Sequence, residues 1–196
     1  MNTPLTIEDI VDQRAYERER EAFRAHVIDL KRRRRVGVGP FVTLVFENRD
    51  TIRFQIQEMA RAERILTDEG IQTELDIYNP LIPEAGQLAM TLFIELTGTD
   101  ALMDWLPKLV GIEKALELRI GDGIVVPSTP EASHEAQLTR EETTASVHYV
   151  YFNLSAEQVD AFEAGPVTLA VQHQAYQEAT ELADDTRKEL LADLRG

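Results

Sequence analysis

The chain has 196 residues, of which 43% are hydrophobic and 28% are charged, which is typical of a soluble globular protein. It contains no cysteine, and this excludes disulfides, thiolate metal ligands and a cysteine nucleophile. Most of the net charge of −15 lies in residues 65–196, which carry 24 acidic and 7 basic side chains. Such an acidic body repels phosphates, so nucleic acid binding is not expected.

The length of the chain fits one domain covering residues 1–196. No apolar run approaches the ~20 residues needed to span a bilayer. The first thirty residues are charged throughout and lack the apolar stretch of a signal peptide. We therefore expect a cytoplasmic protein that does not contact a membrane.

Residues 1–35 are predicted to form an N-terminal helical segment. Thr6 is a candidate N-cap of a short first helix. A longer helix is predicted at residues 13–30, because apolar side chains recur there at helical spacing. A mostly buried strand is then predicted at 41–47, and a helix at about 50–66.

Strand and helix patterns alternate over the rest of the chain. Strands are predicted at 88–96, 145–154 and 167–173, a hairpin at 115–126, and helices at 70–78, 99–110, 155–162 and 184–194. Residues 127–144 are poor in hydrophobic side chains and predict an exposed loop. Several connections are too short for parallel crossovers. The predicted fold is α+β, with a mixed or antiparallel sheet of five to six strands and helices mainly on one side.

Five consecutive cations end the N-terminal helical pattern, from Lys31 to Arg35. Cations in a last helical turn complement the helix dipole, so part of the run has a structural explanation. The rest forms either a solvated, salt-bridged face or a binding site for an anion or an acidic partner. The candidate binding residues are Arg32, Arg33, Arg34 and Arg35.

Polar side chains also follow the strand at 41–47. Arg49, Arg53 and Gln57 repeat at a spacing of four and therefore share one helix face. The turn from a strand into a helix is a common place for a ligand site, because free backbone N–H groups lie there. The same residues could instead form a structural Arg–Glu network.

Metal binding is the sharpest chemical hypothesis that the residues allow. His148 and His173 lie in or at the end of predicted strands, and with Glu47 or Glu58 they could form a histidine–carboxylate site. Such a site would accept iron, manganese or zinc. The histidines show no metal-ligand spacing, and no cofactor motif is present, so no cofactor is assigned from the sequence.

Five blocks of the chain resemble the DUF3501 family of bacterial proteins. The first is LKRRRRVGVGPFVTLVFENRDTIRFQIQEMARAERI at 30–65, and the others are ELDIYNPLIP (74–83), VGIEKALELRIGDG (110–123), TASVHYVYF (144–152) and QHQAY (172–176). In the last block Gln174 replaces a proline that the family pattern has. Neighbouring genes of such proteins encode rubrerythrin-like proteins and iron–sulfur oxidoreductases related to heterodisulfide reductase. The resemblance thus implies a role in redox or peroxide-stress metabolism, and it carries over no catalytic residues.

Two functions follow from these observations. The first is a non-catalytic accessory protein that binds a protein partner of a bacterial redox system. The second is a small metal- or anion-dependent enzyme with a His/Glu/Arg pocket. The uneven charge is also compatible with a homo-oligomer. Geometry discriminates between the two, because the enzyme requires His148, His173 and Glu47 in one pocket.

Overall fold

The computed structural model describes residues 3–132 and 143–196. A short 3-10 turn at Ile7–Asp9 precedes the first long helix. The helices are α1 (Gln13–Arg34), α2 (Arg49–Glu63), α3 (Asp68–Tyr78), α4 (Thr99–Trp105), α5 (Ala156–Ala164) and α6 (Asp184–Arg195). The strands are β1 (Arg35–Val38), β2 (Val42–Phe46), β3 (Gln87–Ile94), β4 (Leu116–Ile120), β5 (Ile124–Pro127), β6 (Thr129–Pro130), β7 (Val147–Asn153), β8 (Val167–His173) and β9 (Tyr176–Glu181).

The strands form two antiparallel sheets. The first sheet has the order β1-β2-β3-β7-β6, and the second has the order β5-β4-β8-β9. The predicted α+β class, the antiparallel strands and the N-terminal helical segment are confirmed. The difference is that the strands divide between two sheets, where the sequence predicted one sheet of five to six strands.

Strand β9 was not predicted, and it contributes to this difference. Its residues are mostly polar and exposed, so they show no apolar alternation. Side chains of β9 bind the backbone of β1: the Tyr176 hydroxyl donates to the Val38 carbonyl at 2.6 Å, and the Thr180 hydroxyl donates to the Gly37 carbonyl at 2.8 Å. The two sheets therefore meet along these edges. At Gly39, between β1 and β2, a Cβ would overlap side-chain atoms of β9, so the close approach requires glycine.

The main core lies between the two sheets. Alternate residues of each strand point into it, for example Leu88, Met90 and Leu92 of β3, with Leu118 of β4 and Leu169 of β8 from the second sheet. We call this side of the first sheet its inner face. The outer face is covered by the N-terminal segment and α2 and α3, which share a second apolar cluster with Tyr149 and Tyr151 of β7. Within the described residues, no helix combines the length and the apolar character needed to cross a membrane.

A buried arginine joins α1 to α6, the C-terminal helix. Arg34, the last residue of α1, is 2% exposed. Its guanidinium donates to both carboxylate oxygens of Asp193 at 2.6 and 3.0 Å, and to Glu189 at 3.1 Å. Because both acids belong to α6, this ion pair sets the position of α1 against the C-terminal helix.

The loop prediction for 127–144 falls largely outside the described residues, which omit 133–142. The prediction of an exposed loop is wrong at several flanking positions. Thr129 and Pro130 pair with β7, and the side chains of Glu131 and Thr144 are buried. Ser128 accounts for part of this, since its hydroxyl donates to the Glu113 carbonyl at 2.9 Å and ties the segment down.

Replacing Arg34 with methionine removes the guanidinium that pairs with Asp193 and Glu189. We expect the free energy of unfolding to fall by about 3–5 kcal/mol, because breaking a buried pair from one side leaves a charge in a poorly solvated place. The measurement is chemical denaturation at neutral pH. The control is Arg32→Met, since Arg32 is 75% exposed and lies 3.8 Å from Asp29; its effect should stay within about 0.5 kcal/mol. Equal losses of stability in Arg34→Met and Arg32→Met would contradict the stabilising role assigned to the Arg34 ion pair.

Candidate functional site

A pocket of about 220 Å³ lies on the outer face of the first sheet, where α1, α2 and α3 meet it. We call it the Glu47 pocket. Its apolar lining comprises Ile52, Leu81, Phe93 and Val147. Its polar lining comprises Lys31, Glu47, Thr51, Gln55, Tyr78, Thr91 and Tyr149. This mixture of apolar walls with a few convergent polar groups is characteristic of small-molecule sites.

The turn between β2 and α2 places Glu47 in the pocket. The Glu47 N–H donates to the Ala89 carbonyl at 2.8 Å, so the pairing with β3 extends past the end of β2. Strand alternation then directs Glu47 to the outer face, opposite to Phe46. Asn48 caps α2 by accepting from the Thr51 N–H at 3.0 Å, and the Thr51 hydroxyl accepts from the Asn48 N–H. The helix therefore starts directly beside the carboxylate.

Glu47 is 6% exposed, and one of its oxygens accepts from the Thr91 hydroxyl at 2.6 Å. Tyr149 pairs with Thr91 across β3 and β7. Burial raises the pKa of Tyr149 to about 12, and the nearby Tyr78 and Glu47 add to the effect. The Tyr149 hydroxyl therefore keeps its proton at neutral pH and can donate a hydrogen bond at the Glu47 side of the pocket.

Three further polar side chains of the pocket have unused hydrogen-bonding groups. Lys31, Gln55 and Tyr78 make no side-chain hydrogen bond or ion pair with another residue in the described part of the chain. Each is half-buried. Side chains that end in an ammonium, an amide and a phenol thus line one cavity together with a buried glutamate, and this is an arrangement that suits a polar ligand.

The predicted row of Arg49, Arg53 and Gln57 lies outside this pocket and binds the N-terminal segment. Arg49 donates to the Thr3 carbonyl at 3.1 Å and to the Asp9 carboxylate at 2.6 Å. Arg53 donates to the Asp9 carbonyl at 2.8 Å and to Glu19 at 2.8 Å. These contacts match the alternative of a structural Arg–Glu network, and the anion-site prediction gains no support from them.

Gln57 also binds the N-terminal segment, through its side-chain amide. It is 2% exposed, accepts from the Val11 N–H at 2.9 Å and donates to the Val11 carbonyl at 3.2 Å. Asn79 repeats the arrangement with both backbone groups of Leu5, at 2.8 and 2.9 Å. These two amides therefore pair with the N-terminal segment much as a neighbouring strand would.

The cation run does not form a continuous charged face. Arg32 and Arg33 lie 3.8 and 3.0 Å from Asp29, and Arg35 lies 2.5 Å from Glu95. Arg34 is buried, so its prediction as a surface binding residue is wrong; the cause is its ion pair with α6, which the sequence did not reveal. Lys31, the first cation of the run, is the one that reaches the Glu47 pocket.

The predicted metal residues do not form one site. His148 pairs with Leu92 and points to the inner face, whereas Glu47 lies on the outer face. Nε2 of His148 lies 2.9 Å from both the Thr144 hydroxyl and the Ala145 carbonyl, and burial lowers the pKa of this imidazole. His173 ends β8 in the second sheet, where Nε2 lies 3.1 Å from the Val110 carbonyl.

Glu58 is also engaged elsewhere, with Arg20 at 2.8 and 2.9 Å and with the Tyr16 hydroxyl at 2.7 Å. Across residues 3–132 and 143–196 there is no group of three or more histidine or acidic side chains that could hold a metal ion. Of the four predicted ligands, Glu47 alone lines the pocket.

Sequence reasoning therefore found one residue of the pocket and missed most of the others. Strand alternation gives a partial signal, since it places Tyr149 on the face opposite to His148. Lys31 could not be separated from its four arginine neighbours, because helix rotation and the partner of each cation depend on tertiary contacts.

The fold and the pocket define an α+β protein with two antiparallel sheets and a small polar cavity beneath its helices. The chain belongs to the DUF3501 family, because the sequence profile of this family matches residues 4–194. The family is described as proteins of unknown function. It is similar to a protein from Burkholderia pseudomallei whose crystal structure is known, described as a novel protein of unknown function. The two are 34% identical, the match covers 98% of this chain and 100% of that chain, and the TM-score is 0.90. No curated protein matches the chain.

The ion pair of Glu58 predicts a pH-dependent contribution to stability. The Arg20 guanidinium, more than the Tyr16 hydroxyl, holds the pKa of Glu58 below its ordinary value of 4.5. Because the folded pKa is depressed, the stabilisation is complete above pH 4.5 and is lost as the pH falls through the folded pKa. We expect Glu58→Gln to lower the free energy of unfolding at pH 7 and to lose this effect as the pH falls through the depressed folded pKa.

The measurement is urea denaturation at a series of pH values. The control is Glu21→Gln at an exposed position of α1, the helix that carries Arg20, which should change stability by no more than about 0.5 kcal/mol. A difference in stability between wild type and Glu58→Gln that stays constant down to the lowest pH at which wild type is folded would contradict the role assigned to this ion pair.

Proposed function

We propose that this protein is a non-catalytic accessory protein of a bacterial redox system, and that it acts by binding a small polar ligand in the Glu47 pocket. The observation that carries the proposal is the set of unused polar groups around one cavity. Lys31, Gln55 and Tyr78 border it without a side-chain partner in the described part of the chain. The buried Glu47 carboxylate lies beside them.

Burial explains why such a set points to a ligand. A carboxylate removed from water costs free energy unless charges or hydrogen bonds compensate for it. Thr91 supplies one hydrogen bond to Glu47, to a single oxygen. A bound ligand with a hydrogen-bond donor would supply further compensation, and the apolar side chains Ile52 and Leu81 would exclude water around it.

The redox context comes from the family resemblance, which implies rubrerythrin-like and heterodisulfide-reductase-like partners. The acidic charge of residues 65–196 is suited to docking on a basic protein surface. In this proposal the ligand and the protein partner are separate, since the pocket is far too small for a protein segment of any length.

The alternative of a small enzyme depends on the same pocket. Glu47 could serve as a base and the protonated Tyr149 as a hydrogen-bond donor to a reacting group. The predicted His and Arg members of that enzyme pocket lie elsewhere, so the alternative would involve Glu47 without them. Conversion of a bound metabolite during the binding experiment below would favour the enzyme.

Filling the pocket is expected to abolish ligand binding without unfolding the protein. Gln55→Trp places a large side chain in the cavity, and Ala62→Trp places the same side chain at an exposed position of α2. A panel of polar metabolites is screened by thermal denaturation and by protein NMR. A ligand present at 100 times its Kd should raise the Tm of wild type and Ala62→Trp by about 5–10 °C and leave Gln55→Trp unchanged. Equal shifts in all three proteins would contradict binding in this pocket.

The protein partner is tested separately. Purified rubrerythrin-like protein and iron–sulfur oxidoreductase from the same bacterium are titrated with this protein in an optical biosensor. We expect at least one complex whose affinity falls as salt is raised from about 50 to 500 mM, because the acidic surface would then be screened. Absence of binding to both proteins would remove the redox context and leave the ligand pocket unaffected.

A further inference from the structure

The Glu47 pocket carries two opposite charges that do not pair with each other. Lys31 and Glu47 both line it, and they form no ion pair within the 4.0 Å that defines one. We infer that the ligand of this pocket is a small zwitterion, with an ammonium group that binds Glu47 and a carboxylate that binds Lys31. The inference rests on the proposed ligand-binding function and adds the chemical class of the ligand.

The Glu47 side of the pocket is suited to an ammonium group. Glu47 is 6% exposed, and its hydrogen bond from Thr91 fixes one of its oxygens, at 2.6 Å. Tyr78 and Tyr149 line the same cavity as Glu47. The carboxylate attracts a cation through its negative charge, and the electron-rich faces of the tyrosine rings attract it as well.

The Lys31 side is suited to a carboxylate. Lys31 lies in the last turn of α1 and makes no ion pair with another residue in the described ranges. Lys31 differs in this respect from its neighbours in the cation run, since Arg33 and Arg34 bind Glu189, and Arg35 binds Glu95. The Gln55 amide borders the same cavity and can donate a hydrogen bond to a ligand oxygen.

The presence of both charges in the pocket argues against a ligand that carries a single charge. A purely anionic ligand would place its charge in the field of Glu47, and a purely cationic ligand would meet Lys31 in the same way. A zwitterion matches both charges and leaves the pocket neutral. The volume of about 220 Å³ limits the ligand to a small molecule, and Phe93 and Val147 offer apolar contacts to a short carbon chain between its two charges.

The test compares ligands that share a carbon chain and differ in charge. The probes are glycine, β-alanine, γ-aminobutyrate and 5-aminovalerate, which separate the two charges by increasing lengths, with butylammonium and butyrate as single-charge controls. Each is titrated into the full-length protein by calorimetry and by NMR. We expect at least one of the amino acids to bind at least about tenfold more tightly than both controls, which is the effect of one charge-assisted hydrogen bond.

Two conservative variants assign each charge to its residue. Glu47→Gln keeps an oxygen that can accept from Thr91, and it should shift the preference of the pocket toward butyrate. Lys31→Met, at a half-exposed position, should shift the preference toward butylammonium. Because the two shifts have opposite directions, general destabilisation cannot produce both.

Other outcomes overturn the inference in distinguishable ways. If butylammonium or butyrate binds as tightly as the best amino acid, the ligand is not a zwitterion, and the proposed ligand-binding function stands. If none of the probes binds to wild type, the inference fails as well. The metabolite panel with Gln55→Trp then decides separately whether the pocket binds any ligand. If no metabolite in that panel binds wild type more tightly than Gln55→Trp, the proposed function is overturned.

Discussion

The buried ion pair of Arg34 with Asp193 is the constraint on which the rest of the structure depends. It joins the end of α1 to the C-terminal helix across 159 positions of sequence, and it is nearly inaccessible to water. Lys31 lies almost one helical turn before Arg34, so the anchoring of α1 also determines where Lys31 meets the pocket. A contact that stabilises the fold thus also places a charge in the candidate site.

The two faces of the first sheet separate stability from binding. Inner-face residues such as Leu92 pack into the core between the sheets, while outer-face residues such as Thr91 and Tyr149 face the helices. Because successive residues of a strand point to opposite sides, the polar pocket interrupts none of the main core. The cost of burying Glu47 is confined to the smaller layer between this sheet and α2.

The sequence predicted those features that depend on local pattern. Periodicity predicts the strand at 41–47 and the following helix, and the sequence indicates Glu47 as a functional candidate, although as a metal ligand. The features that it missed depend on pairing between distant segments. Nothing in the composition of β9 indicates a strand, because its residues are polar and its stability comes from contacts with β8 and β1. Gln57 was assigned to binding, since a sequence does not show that its amide meets Val11.

The attachment of the N-terminal segment has a consequence for how this sequence can change during evolution. Gln57 and Asn79 recognise the segment through its main-chain groups, at Val11 and Leu5. Every amino acid except proline offers those groups, so the identity of residue 11 or 5 is under little selection from these bonds. The two amides have no such freedom, because a shorter or apolar side chain at 57 or 79 would lose both bonds at once. Divergence is therefore expected to be unequal on the two sides of this contact. Gln57 and Asn79 are retained and residue 11 can change, whereas Leu5 stays apolar because its side chain is buried in the second apolar cluster.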